Sequence, residues 1–207
     1  MGNSNSPKTS ALQLNPQDAI PPALEAVFQA CWSRRYIDID LDGHEDFSMA
    51  AQAIVDGFVS SFGEGAERPL LAFFIALSKK AQMWLRLSRP KDKNPARLMK
   101  TATHCLTTGH ILSAAEADQI LPPQEQKSSD INADEAYVAL RFLAHSLDPI
   151  QLRALAVPFL EYALTSYAIV IPEGQRRNVL QWCLEEGLPA VWANRKPNDV
   201  GEYLYRI

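Results

Sequence analysis

Hydrophobic residues recur along most of this chain with the period of an α-helix. Between residues 47 and 62 the apolar positions include Phe47, Ala50, Ala51, Ile54 and Phe58, and this spacing places them on one face of a helix. Similar patterns predict further helices over residues 24–32, 69–89, 94–108, 114–121, 133–147, 149–157, 159–169 and 179–184. The segment from residue 69 is apolar nearly all round in its first half, which is typical of a helix at the centre of a core.

Several short motifs predict where these helices begin and end. Asn94-Pro95 combines an N-cap residue with a first-turn proline, and Ser113 to Glu116 has the sequence of a capping box. Gly109 is placed to end the helix that starts at Asn94. Pro158 is expected to break or kink its helix, and Gly187 to end the last one.

The fold class predicted from these patterns is all-α, with about eight or nine helices. Only residues 36–41 and 168–171 alternate as strands do, and two short strands do not make a sheet. Residues 1–15 are polar and are predicted to form a flexible lead. Residues 16–207 are predicted to form one helical domain, because 207 residues with 47% hydrophobic content suffice for one sizeable core. The loop at 122–131 is the one plausible boundary between two halves of this domain.

Features of targeting and redox chemistry favour a cytoplasmic protein. The N-terminus lacks the charged start and apolar core of a secretory signal, and no apolar run approaches the roughly 20 residues of a membrane span. Gly2 and Ser6 fit a short myristoylation pattern. The three cysteines, Cys31, Cys105 and Cys183, fall within apolar helical patterns, so we expect buried thiols.

The stretch DIDLDGHED, residues 38–46, resembles the first nine positions of an EF-hand calcium loop. Asp38, Asp40, Asp42 and Asp46 occupy ligand positions, and Gly43 stands where the loop turns sharply. The twelfth position, however, is Met49 rather than the bidentate glutamate, and no second loop exists. A solvated acidic segment is therefore favoured over a metal site, with these four aspartates as the only calcium candidates.

Charge is strongly segregated along the chain, although the net charge is only −4. Residues 37–67, the acidic block, contain eight acidic residues and no Lys or Arg. Residues 79–100, the basic block, contain only one acidic residue, Asp92. The basic residues there are Lys79, Lys80, Arg86, Arg89, Lys91, Lys93, Arg97 and Lys100. The two blocks either face each other or form surfaces that steer charged partners.

The centre of the basic block, residues 89–97, is a loop that leads into a helix N-terminus. Backbone N–H groups there, together with Lys91, Lys93 and Arg97, would suit a phosphate or an acidic peptide. No aromatic residue lies between 86 and 100, so stacking on single-stranded nucleic acid is not indicated.

Sequence motifs of catalysis are absent, and neither an enzyme nor a cofactor is predicted. The chain has no phosphate-binding glycine loop, nucleophile elbow or zinc-binding helix motif. His104 and His110 are six residues apart, which does not place them on one helix face.

The leading hypothesis is a non-catalytic module that binds another protein, as an adaptor, a chaperone-like factor, an inhibitor or a subunit of a larger assembly. Its anchors would be the basic block and three aromatic residues near the C-terminus, Trp192, Tyr203 and Tyr205, if these are exposed. The first alternative is nucleic-acid or phosphate binding through residues 79–100. The second is a delivered effector whose polar N-terminus serves for export.

Overall fold

The computed structural model describes residues 20–26, 44–124, 130–169 and 177–193. Helices dominate this part of the chain, no strand occurs within it, and the predicted all-α class is confirmed. Residues 22–26 are helical. The eight helices that follow are α1 (His44–Phe62), α2 (Glu67–Ser88), α3 (Asn94–Thr108), α4 (Ala114–Ile120), α5 (Ile131–His145), α6 (Pro149–Ile169), α7 (Arg177–Trp182) and α8 (Leu188–Trp192).

Helix α2 lies at the centre of the fold, as its apolar first half predicts. It contacts α1, α3, α5, α6 and α8, while α6 packs against α1 and α5. Phe73, Phe74 and Leu77 of α2 are fully buried. One cluster of buried residues extends from Leu24 to Trp192 and includes residues on both sides of the 122–131 loop.

The start and end of α3 and the start of α4 follow the predicted motifs, with one change of residue. Ser113 and Glu116 form the complete capping box, and Gly109 ends α3 in the left-handed conformation with φ of 71°. At the start of α3 the capping oxygen belongs to Asp92 rather than to Asn94. The Asp92 carboxylate accepts the backbone N–H of Asn94 at 2.9 Å. Asn94 is the first helical residue, and Lys93 holds the N-cap position without a side-chain hydrogen bond.

Replacement of Ser113 by alanine is expected to lower the free energy of unfolding by about 1 kcal/mol, because the hydroxyl accepts the backbone N–H of Glu116. Denaturant unfolding measures the change, and Ser61→Ala, at an exposed position of α1, is the control. Equal effects of the two substitutions would contradict this role for the cap.

The same box makes stability depend on pH. The backbone N–H of Ser113, and then its hydroxyl, lower the pKa of Glu116. A lowered pKa in the folded state stabilises it above the unfolded value of about 4.3, and this stabilisation is lost as the pH falls through the folded pKa. The difference in stability between the wild-type protein and Glu116→Gln should therefore be present at pH 7 and shrink below about pH 4.

The structure bears on three local predictions, at Pro158, at residues 168–171 and at Gly187. Pro158 does not break its helix: α6 runs from Pro149 to Ile169 with Pro158 inside it, and it packs against α1 and α5. Ala168 and Ile169 belong to this helix, which agrees with the helix predicted over 159–169 and not with the strand-like alternation at 168–171. Gly187 lies inside a π-helical turn, Cys183–Gly187, from which the chain passes directly into α8.

No helix in the described parts of the chain is both long and apolar enough to cross a membrane.

Candidate functional site

An open groove of about 760 Å³ lies between α2 and α3 and is closed at one side by α8. We call it the α2–α3 groove. Helix α2 contributes Arg68, Ala72, Ile75, Ala76 and Lys79. These residues follow the spacing i, i+4, i+7, i+8, i+11, so they form one stripe along the helix. Small and apolar side chains make the floor, and a cation stands at each end of it.

The opposite wall comes from α3 and α8. Thr103, Leu106 and Thr107 lie on one face of α3, and Val191 and Trp192 come from α8. Leu106 adds to the apolar surface, while the two threonines are exposed at the rim. The groove therefore combines an apolar interior with polar edges, which is the usual composition of a protein-binding surface.

Trp192 is held in place by ring stacking and lies within the core. Its indole stacks on Phe58 with ring centroids 4.1 Å apart and an angle of 21° between the rings. Only 5% of Trp192 is exposed. The sequence analysis proposed Trp192 as an anchor for a partner on the condition that it is exposed, and this condition is not met. Trp192 instead forms part of the groove wall. Tyr203 and Tyr205 lie outside the described residues.

The basic block is spread over several environments rather than gathered on one patch. Lys79 is half-buried and lines the α2–α3 groove. Arg86, Lys91, Lys93 and Lys100 are exposed. For Lys80 only the helical backbone lies within the described structure.

The two remaining basic residues are engaged in structural contacts. The guanidinium of Arg89 donates to Asp134 of α5 at 2.7 Å and lies 5.7 Å from the centre of the Tyr137 ring. Arg97 donates to the backbone carbonyls of Gln119 and Ile120, both at 2.8 Å. Arg97 thus satisfies the last carbonyls of α4, and a phosphate at the start of α3 would have to compete with them.

In the described structure, the ion pairs of the acidic and basic blocks are formed with residues outside both blocks. Arg89 pairs with Asp134, and Glu67, at the end of the acidic block, pairs with Arg153 of α6. These contacts tie α5 and α6 to the ends of α2. Asp56 and Glu64 of the acidic block are exposed.

Most of the calcium-loop candidates lie outside the described residues. Asp38, Asp40 and Asp42 are in that part of the chain, and Asp46 lies in the first turn of α1. Met49, at the twelfth position, is on the same helix with 40% of its surface exposed. Within the described residues no group of three or more His, Cys, Asp or Glu side chains could hold a metal ion.

A smaller hollow of about 360 Å³ adjoins the groove and shares Arg68, Leu106 and Thr107 with it. Its lining residues include His110 and Cys105. Burial raises the pKa of the Cys105 thiol, which keeps it protonated at neutral pH and therefore a poor nucleophile. Burial also raises the pKa of Cys183, deep in the core.

The two histidines near this hollow are closer than their sequence spacing suggests. The rings of His104 and His110 have centroids 6.1 Å apart. Gly109 accounts for this, because its left-handed conformation turns the chain back at the end of α3.

Arg68 is the charged residue of the groove that the sequence analysis missed. It lies between the two charge blocks and belongs to neither. One signal in the sequence could have indicated Arg68. At helical spacing, Arg68 and Lys79 lie at the two ends of a stripe formed by Ala72, Ile75 and Ala76. Comparisons of the chain with protein-family models, with curated proteins and with solved structures gave no significant match.

Proposed function

We propose that this protein is a non-catalytic module that binds a segment of another protein in the α2–α3 groove. The observation that carries the proposal is the apolar floor between Arg68 and Lys79, open to solvent along the α3 rim. An apolar interior enclosed by a polar rim is a common composition of a protein-binding site. The charge segregation then acts by steering the partner and fixing its orientation.

The groove also suits binding better than chemistry. Among the described residues that line it there is no carboxylate, histidine or cysteine, so it lacks the groups that most often act as general base or thiol nucleophile. Arginine, one of the residue types that most often dominate binding energy, is present at its exposed edge as Arg68.

A blocking substitution in the floor tests this function. Ala72→Trp fills the groove, and the matched control is Leu87→Ala, which removes an apolar side chain that is 73% exposed and does not line the groove. Each tagged protein is used to capture partners from native cells, after circular dichroism has shown unchanged helix content. We expect a stoichiometric protein partner with the wild-type protein and Leu87→Ala that is lost with Ala72→Trp. An identical set of partners for all three proteins would refute the proposal.

A second candidate function is nucleic-acid or phosphate binding, favoured by the exposure of Lys91 and Lys93 in the α2–α3 connection. Partners that disappear when the lysate is treated with nuclease, and that require Lys91 and Lys93, would support it. Arg97 is unsuitable for this test because its loss would also release the end of α4. The delivered-effector hypothesis concerns residues 1–15, which lie outside the described structure.

A further inference from the structure

His104 and His110 place two imidazole rings side by side on the surface at the end of α3. Their ring centroids are 6.1 Å apart, and the rings are inclined to each other by 49°. Both residues are exposed, and neither lines the α2–α3 groove. Neither ring makes a hydrogen bond or an ion pair within the described structure. Each neutral ring therefore keeps one nitrogen lone pair available for a ligand.

The backbone that carries the two rings is fixed by hydrogen bonds at the end of α3. The hydroxyl of Thr108 donates to the backbone carbonyl of His104 at 2.8 Å and accepts the backbone N–H of His110 at 3.2 Å. One side chain thus links the two histidines. Gly109 turns the chain between them with φ of 71°, and the buried Leu112 is hydrogen-bonded to the backbone of the α5–α6 connection. The two rings are therefore held near each other by an anchored turn.

The distance between the rings is close to the one that a shared metal ion requires. A bond between zinc and an imidazole nitrogen is about 2.0–2.1 Å long, so two imidazoles on one tetrahedral ion have centroids about 5 Å apart. The observed separation is about 1 Å longer than this. Because both side chains are exposed, rotation about their torsion angles is sufficient to close the difference.

A carboxylate beside the pair favours a bound cation. Glu116, in the first turn of α4, lies close enough to His110 for their charges to interact. The backbone N–H and the hydroxyl of Ser113 both donate to Oε2 of this carboxylate, at 2.9 and 2.8 Å. Its Oε1 atom accepts no hydrogen bond within the described structure. A carboxylate next to a ligating imidazole stabilises the positive charge of a metal ion.

Cys105 is not suited to be a third ligand, although it follows His104 directly. It lies about 100° further round the helix, and only 3% of it is exposed. A metal ion binds the thiolate, whereas burial raises the pKa of this thiol. The described structure thus offers two protein ligands, in agreement with the absence of any three-residue group that could hold a metal ion.

We propose that His104 and His110 bind one divalent transition-metal ion, with water at its other positions and with the Thr108 hydroxyl holding the two ligands in register. Imidazole is a good ligand for Ni²⁺, Cu²⁺ and Zn²⁺, while Mg²⁺ and Ca²⁺ prefer oxygen ligands. Ni²⁺ should bind more tightly than Co²⁺, and Cu²⁺ more tightly than Ni²⁺. This site is separate from the groove, so the proposal does not depend on the binding of a protein partner.

Titration of the full chain with nickel chloride, followed by calorimetry, tests the site. His104→Gln and His110→Gln should each lower the affinity for Ni²⁺ at least about tenfold, because each removes one of the two ligands. His44→Gln, the same change in α1, is the matched control and should leave the affinity within about twofold. An equal concentration of Mg²⁺ or Ca²⁺ should not compete. Circular dichroism of each variant shows that the helix content is unchanged.

The imidazole proton signals in the NMR spectrum locate the ion independently. Ni²⁺ is paramagnetic, so the signals of His104 and His110 should broaden before those of His44 and His145. No binding of Ni²⁺, wild-type affinity in either variant of the pair, or an equal loss in His44→Gln would overturn the proposal.

Thr108 is a positioning residue in this proposal, and two variants test its role. Thr108→Val removes the hydroxyl that joins the two backbones and should weaken Ni²⁺ binding about twofold to tenfold, although both rings remain. Thr108→Ser keeps the hydroxyl and should restore the wild-type affinity. Equal affinities of Thr108→Val and Thr108→Ser would overturn this role.

Discussion

Replacement of Phe58 by alanine is expected to lower the free energy of unfolding by about 3–5 kcal/mol. The Phe58 side chain is fully buried, so its removal leaves a cavity in addition to losing the transfer free energy of the ring. Its ring stacks on Trp192 at 4.1 Å between centroids and lies 6.4 Å from the ring of Phe73. Aromatic pairs of this kind add to the energy of burial alone.

The adjacent residue provides the control for this prediction. Val59 is on the same turn of α1 but is 52% exposed, so Val59→Ala should change stability by less than about 0.5 kcal/mol. Urea unfolding followed by circular dichroism measures both variants. Because Phe58 supports Trp192, its loss should also loosen the α8 wall and weaken ligand binding in the groove. A similar midpoint for the two variants would contradict the core role of Phe58.

Replacement of Gly187 by alanine is expected to destabilise the protein by about 1–3 kcal/mol, although it adds only one methyl group. A Cβ atom built at Gly187 would lie 2.8 and 2.9 Å from two ring carbons of Trp182 and 3.1 Å from the ring of Phe73. Trp182 is fully buried and stacks against Phe73 with ring centroids 5.9 Å apart. A rigid, enclosed ring cannot move away as the end of a flexible side chain could.

Gly65 is the matched glycine for this test. A Cβ atom there would meet nothing within 4 Å. Gly65→Ala should therefore be neutral or stabilise the protein by up to about 1 kcal/mol, because alanine lowers the conformational entropy of the unfolded chain. Thermal and urea unfolding of both variants give the comparison. Equal stability of Gly187→Ala and Gly65→Ala would show that Trp182 does not pack closely against this position.

Local signals in the sequence were sufficient to predict most of the helices. The apolar stripe of α1, the capping box at Ser113 and the left-handed Gly109 each depend on residues within one or two turns, and all are present in the structure. The outcomes at Pro158 and Gly187 depend on distant partners, which local patterns do not contain. The first lies in a helix supported by α1 and α5, and the second owes its position to the ring of Trp182.

The groove was only partly predictable for the same reason. Lys79 was selected from the basic block, but its role as one end of a groove appears only when α3 and α8 are placed beside α2. Arg89 and Arg97 looked equivalent to the neighbouring lysines in sequence. In the fold they bind Asp134 and the end of α4, contacts that link residues 45, 22 and 23 positions apart.

The π-helical turn at Cys183–Gly187 makes the groove wall depend on the number of residues in the chain as well as on their chemistry. Such a turn holds one residue more than an α-helical turn, which rotates everything after it by about 100° relative to an uninterrupted α-helix. Val191 and Trp192 follow this turn within a few residues. Loss of a single residue between 183 and 187 would therefore turn Trp192 away from Phe58 and open one side of the groove, without changing any residue that lines it.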